Sequence, residues 1–71
     1  EEVTVNEKLS LLHELLENKK EFVFTDLIVN KGSFMEVVCA FFAILESVKL
    51  KTITIYQNKM FGDIRIKQFE G

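Results

Sequence analysis

The chain has 71 residues, enough for one domain and no more. Nearly half are hydrophobic, and nine basic residues are interspersed among eleven acidic ones for a net charge of −2. That balance lacks the gathered Lys and Arg of a nucleic-acid surface, and the lone Cys39 excludes an internal disulfide.

A domain this short buries only about 60% of its unfolded surface, so its stability has to come from dense packing. His13 and Cys39 are the only strong soft ligands, whereas a zinc site needs three or four, so neither a metal nor a cofactor is expected. Cys39 reads as a small packed hydrophobe, in keeping with a reducing cytoplasmic setting. Glu36 and Glu46 interrupt the longest apolar run, which excludes a membrane span. A signal peptide is not expected, and a start at Glu1 rather than Met is expected of a fragment of a longer protein.

In chain order, Thr4 and Glu7 stand at capping-box spacing and open a first helix. Val5, Leu9, Leu12 and Leu16 form its buried stripe, and Leu11 and Leu15 lie on a flank. Asn18-Lys19-Lys20 closes it, with cations near the negative end of the dipole. Glu21 to Phe24 is a short β-prone segment. Thr25 reads as the N-cap of a brief second helix from Asp26 to about Asn30, anchored by Leu27 and Ile28. Asn30-Lys31-Gly32 is a turn in which Gly32 can take positive φ.

Ser33 and Glu36 form a second capping box, and an almost unbroken apolar helix runs on to Leu50. Val37, Phe41, Ile44 and Val48 recur at helical spacing and are expected to face the core, with Leu45 closing that arc. Phe34, Met35, Val38 and Phe42 widen it to roughly half the circumference, beyond what a surface helix needs. The period then drops to two. Thr52 to Gln57 and Ile64 to Phe69 alternate as strands, and the loop between them holds Gly62, which predicts an antiparallel hairpin. Ile53, Ile55, Ile64 and Ile66 would cover the helices. Helix, strand, helix, helix and hairpin in that order predict an α+β winged-helix domain over residues 1–71. It has three helices, a short strand and a C-terminal hairpin wing.

Chemistry is hard to place on this chain. The Ser, His and Asp residues show no triad spacing, and Gly32, Gly62 and Gly71 are isolated rather than arranged as a phosphate loop. An enzyme is not expected. A winged helix often reads DNA with Arg, Lys, Asn or Gln from the N-terminal half of its third helix. Here that half is Phe34 to Ala40, with no long donor and with Glu36 repelling phosphate. A DNA-binding regulator is therefore the weaker alternative, and a protein-binding module the stronger reading. Exposed Met or Phe side chains among Met35, Phe42, Met60 and Phe61 would mark its interface.

The segment Val37 to Ile64, VVCAFFAILESVKLKTITIYQNKMFGDI, resembles the C-terminal domain of segregation and condensation protein A, the bacterial kleisin of the SMC condensin complex. The acidic-aliphatic opening at Glu36-Val37-Val38, Phe41, Leu45-Glu46, Lys49-Leu50, Gln57 and the Phe61-Gly62-Asp63-Ile64 turn carry the likeness. Val3, Thr4, Glu7, Phe24 and Leu27 extend it upstream. Ser47 departs from a common aliphatic, Lys51 from a frequent turn glycine, and Asn58-Lys59 from expected acidic residues.

The resemblance implies a non-catalytic, C-terminal winged helix that binds the ATPase head of an SMC protein. It implies a role in closing the ring that condenses and segregates chromosomes, in the bacterial cytoplasm at the nucleoid. The head-binding residues it suggests are Met35, Val38, Phe42, Leu45, Tyr56, Met60 and Phe61. An accessory subunit would bind the middle of the longer chain, which this fragment lacks. Direct sequence-specific DNA contact and membrane contact are not expected, and weak self-association is a further outcome to test.

Overall fold

The computed structural model describes residues 3–57 and 63–70. Its elements are α1 (Val5–Asn18), β1 (Glu21–Val23), a 3-10 turn (Phe24–Leu27), α2 (Phe34–Lys49), β2 (Ile53–Gln57) and β3 (Ile64–Gln68). The architecture is α+β: two α-helices packed on a three-stranded antiparallel sheet of order β1-β3-β2. It is compatible with a winged helix, with one correction. The expected second helix is a single 3-10 turn, closed by the Ile28 N–H donating to the Thr25 carbonyl at 3.1 Å; the Asp26 carboxylate accepts from the Val23 N–H at 3.1 Å and sets its start one residue before Phe24. Thr25 is thus inside the turn and not its cap.

Each long helix begins where a side chain satisfies an orphan N–H. Thr4 and Glu7 make the complete reciprocal box. Ser33 makes only half of its own: its hydroxyl accepts from the Glu36 N–H at 3.3 Å, but the Glu36 carboxylate turns elsewhere. At the far end of α2 the Lys51 N–H donates to Val48 and the Thr52 N–H to Ser47, a Schellman closure. Lys51 occupies its left-handed position at φ 61°. Gly32 does not adopt positive φ; the Asn30 side chain and carbonyl close its turn instead.

The hairpin pairs Ile55 with Ile66 and Gln57 with Ile64, and β1 pairs Phe22 with Ile66. Strand alternation then sends Phe22, Ile53 and Ile66 to one face. They join Leu12, Leu27, Ile28, Ala40 and Ile44 in one core cluster, with Leu11, Leu15, Leu16 and Phe24 packed against it. Of the proposed strand residues, Ile53 and Ile66 are fully buried while Ile55 is exposed toward the hairpin end.

The larger correction concerns α2. Val37, Phe41 and Val48, expected in the core, are exposed. The buried side of the helix is Cys39, Ala40, Ala43, Ile44 and Ser47. Positions 36, 40, 43 and 47 form a line of Glu, Ala, Ala and Ser at spacing of four and three. Small side chains let α2 lie close against its neighbours, and Ala40 and Ile44 pack in one cluster with Leu12 of α1. Hydrophobic size, not polarity, misassigns the face.

Candidate protein-docking surface

The large side chains displaced from the core form a surface of their own. Phe34, Val38, Phe41, Leu45 and Val48 follow one another at intervals of four, three, four and three. At about 100° per residue this is a straight seam, roughly opposite the Ala-rich inner line. Phe34 is 77% exposed, Phe41 50% and Leu45 45%; Val38 is half-buried. Met35 and Phe42 widen the seam on one flank and Val37 on the other, all exposed. The only charged residues between Phe34 and Val48 are Glu36 and Glu46.

Glu36 is on the inner side. Its Oε1 accepts from the Lys8 ammonium at 2.6 Å and from the Val29 N–H at 2.9 Å. Lys8, 3% exposed, donates also to the Leu27 carbonyl at 2.6 Å. These bonds hold the Glu36 carboxyl below its ordinary range, the Lys8 bond contributing most. They also tie the first turn of α2 to α1 and to the segment after the 3-10 turn, which fixes how Phe34 and Met35 are presented. Lys8 gives no sign in the sequence, because a lysine between Val5 and Leu12 reads as a solvated flank. The signal that could have found it is the acidic Glu36 on a line of small, inward residues.

Of the side chains suggested for docking, Met35, Val38, Phe42 and Leu45 lie together on α2. Tyr56 does not join them. It points to the opposite face of the sheet from Ile53 and Ile55, where its hydroxyl donates to Glu21 Oε2. Arg65 Nε donates to the same oxygen at 2.7 Å, and the Lys67 ammonium sits 5.7 Å from the Tyr56 ring centroid. The Tyr56 bond, then Arg65, lowers the Glu21 pKa, and the same bond raises that of Tyr56. Met60 and Phe61 fall outside the described residues.

No family model matches the chain. It is 36% identical over 64 residues to the segregation and condensation protein A of Clostridium acetobutylicum, covering 90% of this chain and 26% of that protein. Against the protein of the same name from Halothermothrix orenii it is 34% identical over 73 residues, covering 100% and 30%. Against that of Lactococcus lactis subsp. cremoris it is 31% identical over 70 residues, covering 99% and 29%. Over the stretch it spans, the chain belongs to the segregation and condensation protein A family.

The chain spans under a third of the length of these relatives. Among the described residues the fold leaves one large apolar surface uncovered, and that surface is on α2. Among the described residues no helix is long and apolar enough to cross a membrane.

Proposed function

We propose that the chain is the winged-helix docking module of a bacterial kleisin, and that it binds the ATPase head of an SMC protein through the outward seam of α2. The observation that carries this reading is the separation of the two faces of that helix. The inner face alone completes the core, so the outer one is free to bury its side chains against a partner. Covering a Phe or Leu fully contributes about 1.5–3 kcal/mol relative to leaving it in water. Phe34, Phe41, Phe42 and Leu45 would then be the centre of the contact, with Met35, Val38 and Val48 beside them.

In this role the module has no catalysis of its own. It would help close the SMC–kleisin ring used in chromosome condensation and segregation, at the nucleoid in the cytoplasm. The accessory subunit would bind a part of the longer protein that this chain does not include. Met60 and Phe61 are proposed to reach the same partner. Tyr56 is committed to the sheet and is left out of the continuous surface.

The DNA-reading alternative needs donors where α2 carries Phe34, Met35 and Phe41. The test is co-purification with an SMC head domain. Phe42→Glu combined with Leu45→Glu is expected to abolish it while the circular dichroism spectrum stays unchanged. Full retention by the folded double variant would show that the partner binds elsewhere. Salt-dependent retention of the unaltered chain on duplex DNA would instead support the alternative.

A further inference from the structure

The outward seam is also complementary to itself. With Phe41 at the centre, Phe34 and Val48 stand seven residues to either side, and Val38 and Leu45 stand three and four. A second copy laid antiparallel across a two-fold axis at Phe41 brings Phe34 opposite Val48 and Val38 opposite Leu45. Each larger side chain then meets a smaller one, and Phe41 meets its own copy. Phe42, exposed beside it, adds a second ring from each copy near the axis.

A parallel pairing would instead set Phe34 against Phe34 and leave Val48 against Val48, a poorer fit. Antiparallel packing also opposes the two helix dipoles. Charge does not resist the contact: Glu36 is turned inward to Lys8, and Glu46 and Lys49 flank the seam rather than lie on it. An interface of this kind uses the same patch on both subunits, which closes the pair at two.

The extent of the seam sets the strength. Sixteen helical residues are about 24 Å long. Two such helices cover on the order of 1,000 Å² in total, below the standard size of stable interfaces and within the range of transient ones. We propose that the free chain pairs weakly with a second copy by antiparallel packing of α2 on α2 about Phe41, so that any partner docking on this face must first open the pair. The pairing competes for the side chains used in the docking reading but does not depend on it.

Sedimentation equilibrium of the 71-residue chain, from about 10 μM to about 1 mM, tests this. The mass should rise from 8.3 kDa toward twice that value, and Phe41→Glu should remove the rise without changing the circular dichroism spectrum. A monomer at every concentration overturns the proposal. So does a rise that Phe41→Glu leaves intact, since another face would then be responsible. Register is read by oxidation in a Cys39→Ala background confirmed to be folded. A mixture of Phe34→Cys and Val48→Cys chains should give chiefly the mixed disulfide, and a predominance of the Phe34→Cys homodimer overturns the antiparallel geometry. Loss of SMC-head binding is a separate readout and leaves these results unaffected.

Discussion

The Lys8 ammonium and the Glu36 carboxylate lie 2.6 Å apart, with side chains 4% and 13% exposed, and join the start of α1 to the start of α2. An ion pair so placed is costly to break on one side, because the remaining charge keeps its desolvation without its partner. Lys8→Met also takes a donor from the Leu27 carbonyl. In urea denaturation it should destabilise the chain more than Thr4→Ala, whose lost cap costs about 1 kcal/mol. Lys8→Met and Glu36→Gln together should cost less than the sum of the two alone. Simple additivity would mean that the pair is not a stabilising unit.

The two faces of α2 should respond differently to substitution. Ala43→Leu pushes a larger side chain into the fully buried inner line and should cost about 1–3 kcal/mol. Phe41→Ala on the outer seam should cost about 1 kcal/mol, against about 3–5 kcal/mol for a core phenylalanine. Chemical denaturation of both variants decides the matter. A larger loss for Phe41→Ala would return that ring to the core.

Lys51 holds the left-handed position of the Schellman closure at φ 61°, a conformation unfavourable to a side chain with a Cβ. Lys51→Gly should stabilise the chain by about 1 kcal/mol, read as a higher denaturation midpoint with unchanged slope. An unchanged or lower midpoint would show that the lysine side chain makes up for its backbone.

The acid limb of stability should follow Glu21 and Glu36. Both carboxyls are held below the ordinary value of 4.5 in the folded chain. Such groups contribute stability that is present above the unfolded pKa and is lost as pH falls through the folded one. Thermal midpoints should therefore decline below about pH 4.5, and Glu21→Gln should flatten part of that decline.

Tyr56 gives the matching alkaline test. Its phenol is raised above 10.0, so its contribution is complete below that pH and lost as pH rises through the folded value. As the sole tyrosine, it can be followed by absorbance alone. Its titration should shift downward in Glu21→Gln.

The caps at Thr4 and Ser33 and the alternation in β2 and β3 are legible in the sequence because each depends on neighbours a few residues away. The buried Leu27 and Ile28 and the packed Cys39 are legible for the same reason: local apolar character is enough. The orientation of α2 is not. Both of its faces are apolar, and only the close approach of other elements decides that Ala40 and Ala43 go in while Phe41 stays out. The short 3-10 turn escapes because Asp26 can begin a helix or close a single turn with the same bond. Lys8 is invisible until Glu36, 28 positions along, is seen beside it. Of the candidate surface, Met35, Val38, Phe42 and Leu45 can be read from helical spacing, whereas the sheet bond that holds Tyr56 spans 35 positions.

The division of α2 into a small-residue side and a large-residue side has an evolutionary consequence. If α2 docks as proposed, substitutions at Phe34, Phe41 or Leu45 would change what the helix recognises with little effect on whether the domain folds. Substitutions at Ala40, Ala43 or Ser47 are filtered by folding before any partner is met. Recognition and foldability can thus drift on separate clocks along a single helix, and a matched change in a partner need not wait for a repacked core.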